Sequence, residues 1–254
     1  GSTYWTSNRL YFAPTRPLNA SSNYAATLTH CAGESTVDFA TTSLGAPLNE
    51  AIDLADKTYV VNLDDADFVK PAGVGGLLLG LLEQHLLLGI MEISGSAIEM
   101  MGAVAMDRPS TDQDTCQPSV PFPTPADFTA SPHFSIGADT SELLVSGIDL
   151  NIREWMFTAD FSADGSHIGG GVLTGRLDAA DLAGGLVDNG LIEDEDPREV
   201  CELIATFGVD CEDCGDGRDE CLDVRVERIT AEETDTTLIA VAACDVDTCD
   251  EGCE

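Results

Sequence analysis

The amino-acid sequence predicts a mainly β fold, an antiparallel β-sandwich or an open barrel with a few short peripheral helices, stapled by disulfides. Three observations carry this expectation. Apolar and polar side chains alternate through residues 142–178, where Trp155, Phe157, Ala159 and Phe161 share one face and Ile148, Leu150 and Ile152 another. A period of two marks antiparallel strands with one side in a core and the other in water. Stretches with helical spacing are short and lie between such segments. The chain also holds nine cysteines, which an oxidising compartment explains more simply than a metal does.

Taken in chain order, SLGAPLNEAIDLADK at 43–57 is expected to be helical and to lead into a strand at 58–66. The same theme repeats in the next segment. Leu77, Leu78, Leu81 and Leu82 fall at helical spacing, and the apolar run 86–107 follows as strand. Residues 107–132 are rich in proline and poor in periodic apolar positions, so they read as a long irregular crossover. That crossover could divide the chain into 1–106 and 133–245, but the preferred reading is one β-rich domain over 1–254 that closes in an acidic, cysteine-rich tail at 246–254. The Asp-Gly pair in ADGS at 163–166 predicts a tight hairpin between two long strands, because Gly165 tolerates positive φ. Helices are expected at 177–190, ending in glycine, and at 194–210, with acids at its start to oppose the dipole. Val200, Leu203, Ile204 and Phe207 form the apolar stripe of the second. Strands at 222–232 and 236–244 return to the sheet.

Charge narrows the function. With 46 acidic side chains against 11 Lys and Arg, the formal net charge is −35, which repels phosphate and so excludes nucleic acid and anionic lipid as partners. The longest apolar stretch, 73–82, is stopped at Glu83 before 86 resumes, short of the ~20 residues a spanning helix needs, so no transmembrane segment is expected. No leader stands before Gly1-Ser2-Thr3, which fits the mature part of an exported chain.

The stretch CEDCGDGRDEC at 211–221 carries the densest chemistry. A zinc site of four thiolates would call for two short knuckles, and only one CxxC is present. Glu212 and Asp213 between its cysteines would raise thiol pKa values, which disfavours a redox pair. Disulfides remain: two bridges drawn from Cys201, Cys211, Cys214 and Cys221 would clasp the second helix to this loop, and Cys31 would bridge to Cys116. Cys244, Cys249 and Cys253 lie in the tail, where one must be unpaired or joined elsewhere. Calcium is the one cofactor the pattern admits, through Asp213, Asp216, Asp219 and Glu220, although the spacing is not that of an EF-hand. The acid groups at 64–67, 193–196 and 245–251 read as solvated surface. His30, His85, His133 and His167 sit in no known catalytic pattern, and Trp155 and Phe157 read as core, not as a carbohydrate platform.

The runs FSADGSHIGGGVLTGRLDAADL and CELIATFGVDCEDCGDGRDECLDVRVERITAEE resemble the C-terminal half of uncharacterised exported proteins and lipoproteins of myxobacteria and related Gram-negative bacteria. The resemblance implies export, a β-rich body, and attachment to the outer membrane through a lipid on a cysteine outside this chain. It implies no reaction. The expected function is therefore that of a non-enzymatic exported protein, periplasmic, on the outer-membrane surface or extracellular, that binds a protein partner or builds an assembly. Two alternatives stand beside it. One is a binding domain for a small apolar or carbohydrate ligand, held between the sheet and the leucine-rich segment 77–91; the other is a hydrolase with an unrecognised site.

Overall fold

The structure is a computed structural model that describes residues 2–6, 9–13, 18–31, 33–81, 84–106, 109–145, 148–215, 217–218 and 220–242. Two separate hairpins come first: β1 (Ser2–Thr6) with β2 (Arg9–Ala13), and β3 (Asn23–His30) with β4 (Gly33–Ala40). The remaining strands are β5 (Thr58–Asn62), β6 (Asp67–Lys70), β7 (Leu86–Ser94), β8 (Ala97–Val104), β9 (Val120–Pro121), β10 (Ala126–Asp127), β11 (His133–Val145), β12 (Ile148–Phe161), β13 (His167–Asp178) and β14 (Cys221–Thr234). Helices α1 (Gly75–Leu81), α2 (Ala179–Asp188) and α3 (Pro197–Ala205) complete the order.

Eight of these strands close into an antiparallel barrel in the order β10, β11, β12, β13, β14, β5, β7, β8. The last gap is sealed by β10, where Ala126 faces Ile98 and Asp127 faces both Ala97 and Ser135. A mainly β, antiparallel fold with small helices is thus what forms, as a barrel that is closed. Two residues of the proline-rich crossover do the closing, and barrel strands come from both sides of that segment. Closure satisfies edge groups that an open sheet would present to water or to other chains.

The barrel interior has two halves. At one end Phe134 packs on Phe161 with ring centroids 4.9 Å apart, and Phe128 and Tyr59 meet Phe161 at 5.9 and 5.8 Å. Tyr59 donates its hydroxyl to the Gly165 carbonyl at 2.8 Å, and burial pushes its phenol well above the usual range. That bond ties β5 to the β12–β13 turn, where Gly165 takes φ +67°, as the Asp-Gly pair requires.

The other half depends on an irregularity. Between Arg153 and Met156 the β12–β13 register slips, and Glu154 adopts φ 47°. A bulge of this kind inserts one residue and changes which face the following side chains occupy. It explains why the chain shows two out-of-phase apolar sets: Ile152 before the bulge and Trp155 and Phe157 after it all reach the same interior. Glycines make room for the displaced backbone. A Cβ on Gly137 would lie 2.5 Å from the Trp155 carbonyl oxygen, and one on Gly175 would lie 2.7 Å from Ile152 Cγ2.

The helices dock through apolar faces and carboxylate caps. Asp178 and Asp196 accept from the backbone N–H of Ala180 and Arg198, stopping the free donors at the starts of α2 and α3. Leu182 and Leu186 of α2 and Val200 and Ile204 of α3 are buried in the main core. The cysteines clasp this corner as expected in outline, with Cys201 bonded to Cys211 and Cys214 to Cys221. Opening either short loop to the unfolded chain's full freedom costs about 2.5 kcal/mol in the loop-entropy model. Reduction at neutral pH is therefore expected to lower the melting temperature by several degrees, as a scan with and without reductant would show.

Several expectations are corrected. Residues 43–57 form turns and not a helix, because Gly45 and Pro47 interrupt the spacing and Leu48, Ile52 and Leu54 are drawn separately onto the core. The described part of 236–244 is not a strand: apart from one bond from the Ser119 backbone N–H to the Val241 carbonyl, its backbone bonds go to side chains, Ile239 to Gln113 and Val241 to Ser119. Phe207 falls beyond the end of α3 and is 48% exposed, so the buried stripe stops at Ile204. The Cys31–Cys116 bridge does not form, because Cys31 is free and exposed while Cys116 is disulfide-bonded to another residue.

Candidate functional site

Beyond the aromatic end, the barrel interior holds a partly open cavity of about 160 Å³. Its walls come from seven strands, β5, β7, β8 and β11 to β14, among them Leu88 of β7, Gly102 of β8, Ile136 of β11, Ile152 and Trp155 of β12 and Leu173 of β13, with Phe122 closing the side after β9. The reason for the space is local. Gly102 continues the inward parity of Ile98 and Met100 on β8 but has no side chain to fill it, and a Cβ there would meet nothing nearer than Phe122 Cζ at 3.6 Å. A lining of Val, Leu, Ile, Phe, Gly, Ala and Trp offers no charge and no hydroxyl. An apolar cavity of this size has room for compact apolar guests.

The carboxylates and thiols named from sequence that fall among the described residues lie elsewhere. Asp213 accepts from the N–H of Gly215 and Gly217 at 2.8 and 3.3 Å, capping its own turn. Glu220 stands 4.0 Å from Arg198. Asp216, Asp219, Cys244, Cys249 and Cys253 lie outside the described residues. Asp178, Cys214 and Cys221 come within 4.8 Å of one another, but both sulfurs are consumed in their disulfide. Asp178 is buried and serves structure: besides its cap, it accepts from Arg153 at 3.2 Å and Arg218 at 2.6 Å, tying the end of β13 to the cysteine loop.

The histidines give no relay among the described residues. Ser166 Oγ lies 3.3 Å from His167 Nδ1, yet the neighbouring acid, Asp164, bonds the hydroxyls of Ser162 and Ser166 at 2.7 Å and not the imidazole. An acid that grips the serine cannot orient the base, as a nucleophilic triad needs. Those two hydroxyls and the Ser166 N–H hold the Asp164 carboxyl far below the usual carboxylate range. With its folded pKa depressed, Asp164 supports the turn at pH values above the ordinary value of about 4 and loses that support as pH falls below it. A carboxyl chemical-shift titration should give Asp164 a midpoint well below the ordinary carboxylate range, and Ser166→Ala should move it upward. His133 pairs with Asp160 at 3.4 Å on the surface.

Trp155 and Phe157 are 7% and 8% exposed, walls of the interior and not a flat sugar platform. Sequence reading placed an apolar site between the sheet and segment 77–91; the cavity shares Leu86, Leu87 and Leu88 with that segment but lies inside the barrel, opened by a glycine in β8 and a bulge in β12. The signal available was the pair of out-of-phase apolar sets between 148 and 161. No protein-family model, curated protein or solved structure matches the chain. Among the described residues no helix is long and apolar enough to cross a membrane.

Proposed function

We propose that this chain is a non-enzymatic exported binding protein whose barrel takes a compact apolar molecule into the cavity beside Trp155. The observation that carries the reading is the cavity itself, about 160 Å³ with purely apolar side-chain walls apart from one indole. Stability alone favours a filled interior, since each missing contact costs packing energy. Here a glycine and a bulge keep the space open. Export is supported by the disulfide clasp, which persists in oxidising compartments.

Trp155 reports on its own site. The chain has two tryptophans, so Trp5→Phe leaves Trp155 alone to fluoresce. Titration of that variant with benzene should change the emission saturably at a single site. An emission that changes only in proportion to added benzene would end the proposal.

A second reading, a component of a larger assembly, rests on the β3–β4 hairpin. It stands outside the barrel with Leu28, Val37 and Phe39 exposed at 47%, 63% and 40%, and with the free thiol of Cys31 at its turn. No acid precedes Glu34, so the N-terminal part escapes the repulsion that the rest of the chain exerts. Light scattering of the native chain and of Phe39→Ser decides it: a multimer lost on substitution supports the reading, and a monomer in both sinks it.

A further inference from the structure

Resting on the cavity reading, we infer that the barrel's ligand carries one hydrogen-bond acceptor, and that Trp155 Nε1–H donates to it. Among the described residues, Trp155 is the one lining residue whose side chain carries a polar atom; every other side chain there is hydrocarbon or glycine. That atom is buried and has no hydrogen-bond partner among the described residues. A buried indole N–H normally finds one, and leaving it unmade sacrifices stability. Other buried polar side chains of this chain are engaged: Tyr59 with Gly165, Gln113 with Ile239, Ser119 with Val241 and Asp178 with two arginines.

The backbone beside Trp155 is unusual as well. Glu154 holds a left-handed φ of 47° in mid-strand, a conformation that costs free energy in a non-glycine residue. The bulge it forms is what brings Trp155 to the interior after Ile152, and bulges often re-aim a side chain next to a binding site. Strain and an unmade hydrogen bond thus fall on adjacent residues, Glu154 and Trp155, the second of which lines the cavity. Phe122, half-buried, packs its ring on the indole with centroids 5.2 Å apart. The acceptor reaches the N–H as that ring gives way, so the ligand is a compact hydrocarbon frame bearing a carbonyl, ether or similar oxygen.

The test compares cyclohexanone with methylenecyclohexane, which share a shape but differ by the acceptor. Calorimetry gives both affinities in the native chain and in Trp155→Phe. The ketone pays more to leave water, so the ratio of the two affinities is compared between proteins instead of the raw values. That ratio should shift against the ketone by about tenfold in the variant, the worth of one buried hydrogen bond. In the native chain, the Trp155 indole N–H resonance should move downfield with the ketone and not with the alkene, a readout that needs no variant. An unchanged ratio and an unmoved resonance, with both ligands bound, would overturn the inference while leaving the cavity reading intact; that outcome means the N–H rests on the Phe122 ring face. Binding of neither ligand overturns both.

Discussion

Gly102→Leu is expected to abolish binding of small apolar molecules and at the same time to stabilise the protein. The substitution extends the inward row of Ile98 and Met100 with the side chain that row lacks, and the space before it is open to ordinary contact distance from Phe122. Burying the new isobutyl group is worth about 1–2 kcal/mol, and removing a strand glycine adds to that in the same direction. For a chain of this size each kcal/mol raises the melting temperature by roughly 2–4 °C. The same atoms occupy the volume a guest would need, so affinity for benzene should fall at least about a hundredfold, as overlapping a buried guest costs several kcal/mol. Few substitutions improve stability while removing function, and those that do mark a space kept open for use. A melting scan and a titration on one variant check both halves; a variant that binds as the native chain does would show that the cavity is not the site.

The largest loss of stability is expected from Asp178→Ala. This carboxylate is only 5% exposed and has three roles: it caps α2, accepts from Arg153, and accepts from Arg218 in the cysteine loop. Losing the cap costs about 1 kcal/mol, and losing charge-assisted bonds at a buried acceptor brings the total to about 3 kcal/mol. Asp178→Asn keeps the cap and should recover about 1 kcal/mol of that. Denaturant titration should show a lower midpoint with an unchanged slope, because the change removes contacts without altering the surface exposed on unfolding. Equal stabilities for the alanine and asparagine variants would show that the cap contributes nothing.

Much of the barrel was legible because its strands obey simple rules. The alternation through 142–178 and the Asp-Gly turn marked the β12–β13 hairpin, and the spacing of Leu77 and its neighbours marked α1. The cysteine clasp was legible because four cysteines lie within 21 residues, at 201–221. What escaped was non-local. Closure rests on Ala126 and Asp127, two residues in a proline-rich segment with no period of their own. The hairpin β3–β4 buries little, so composition marks it weakly. The cavity rests on an absence, the missing side chain of Gly102, which no pattern of apolar residues reports, and on the bulge at Glu154, whose one trace is the phase change between Ile152 and Trp155. The pairing of Cys31 was misjudged because position along the chain does not say that it crowns an exposed hairpin.

The central claim, that the barrel is a container and not merely a core, is tested most directly by calorimetric titration of the native chain with benzene. One molecule per chain should bind with a submillimolar dissociation constant, roughly −4 kcal/mol or better. Benzene at about ten times that constant should then stabilise the fold by about 1.4 kcal/mol, and both effects should vanish in Gly102→Leu. Heat of simple dilution with no rise in melting temperature would contradict the account.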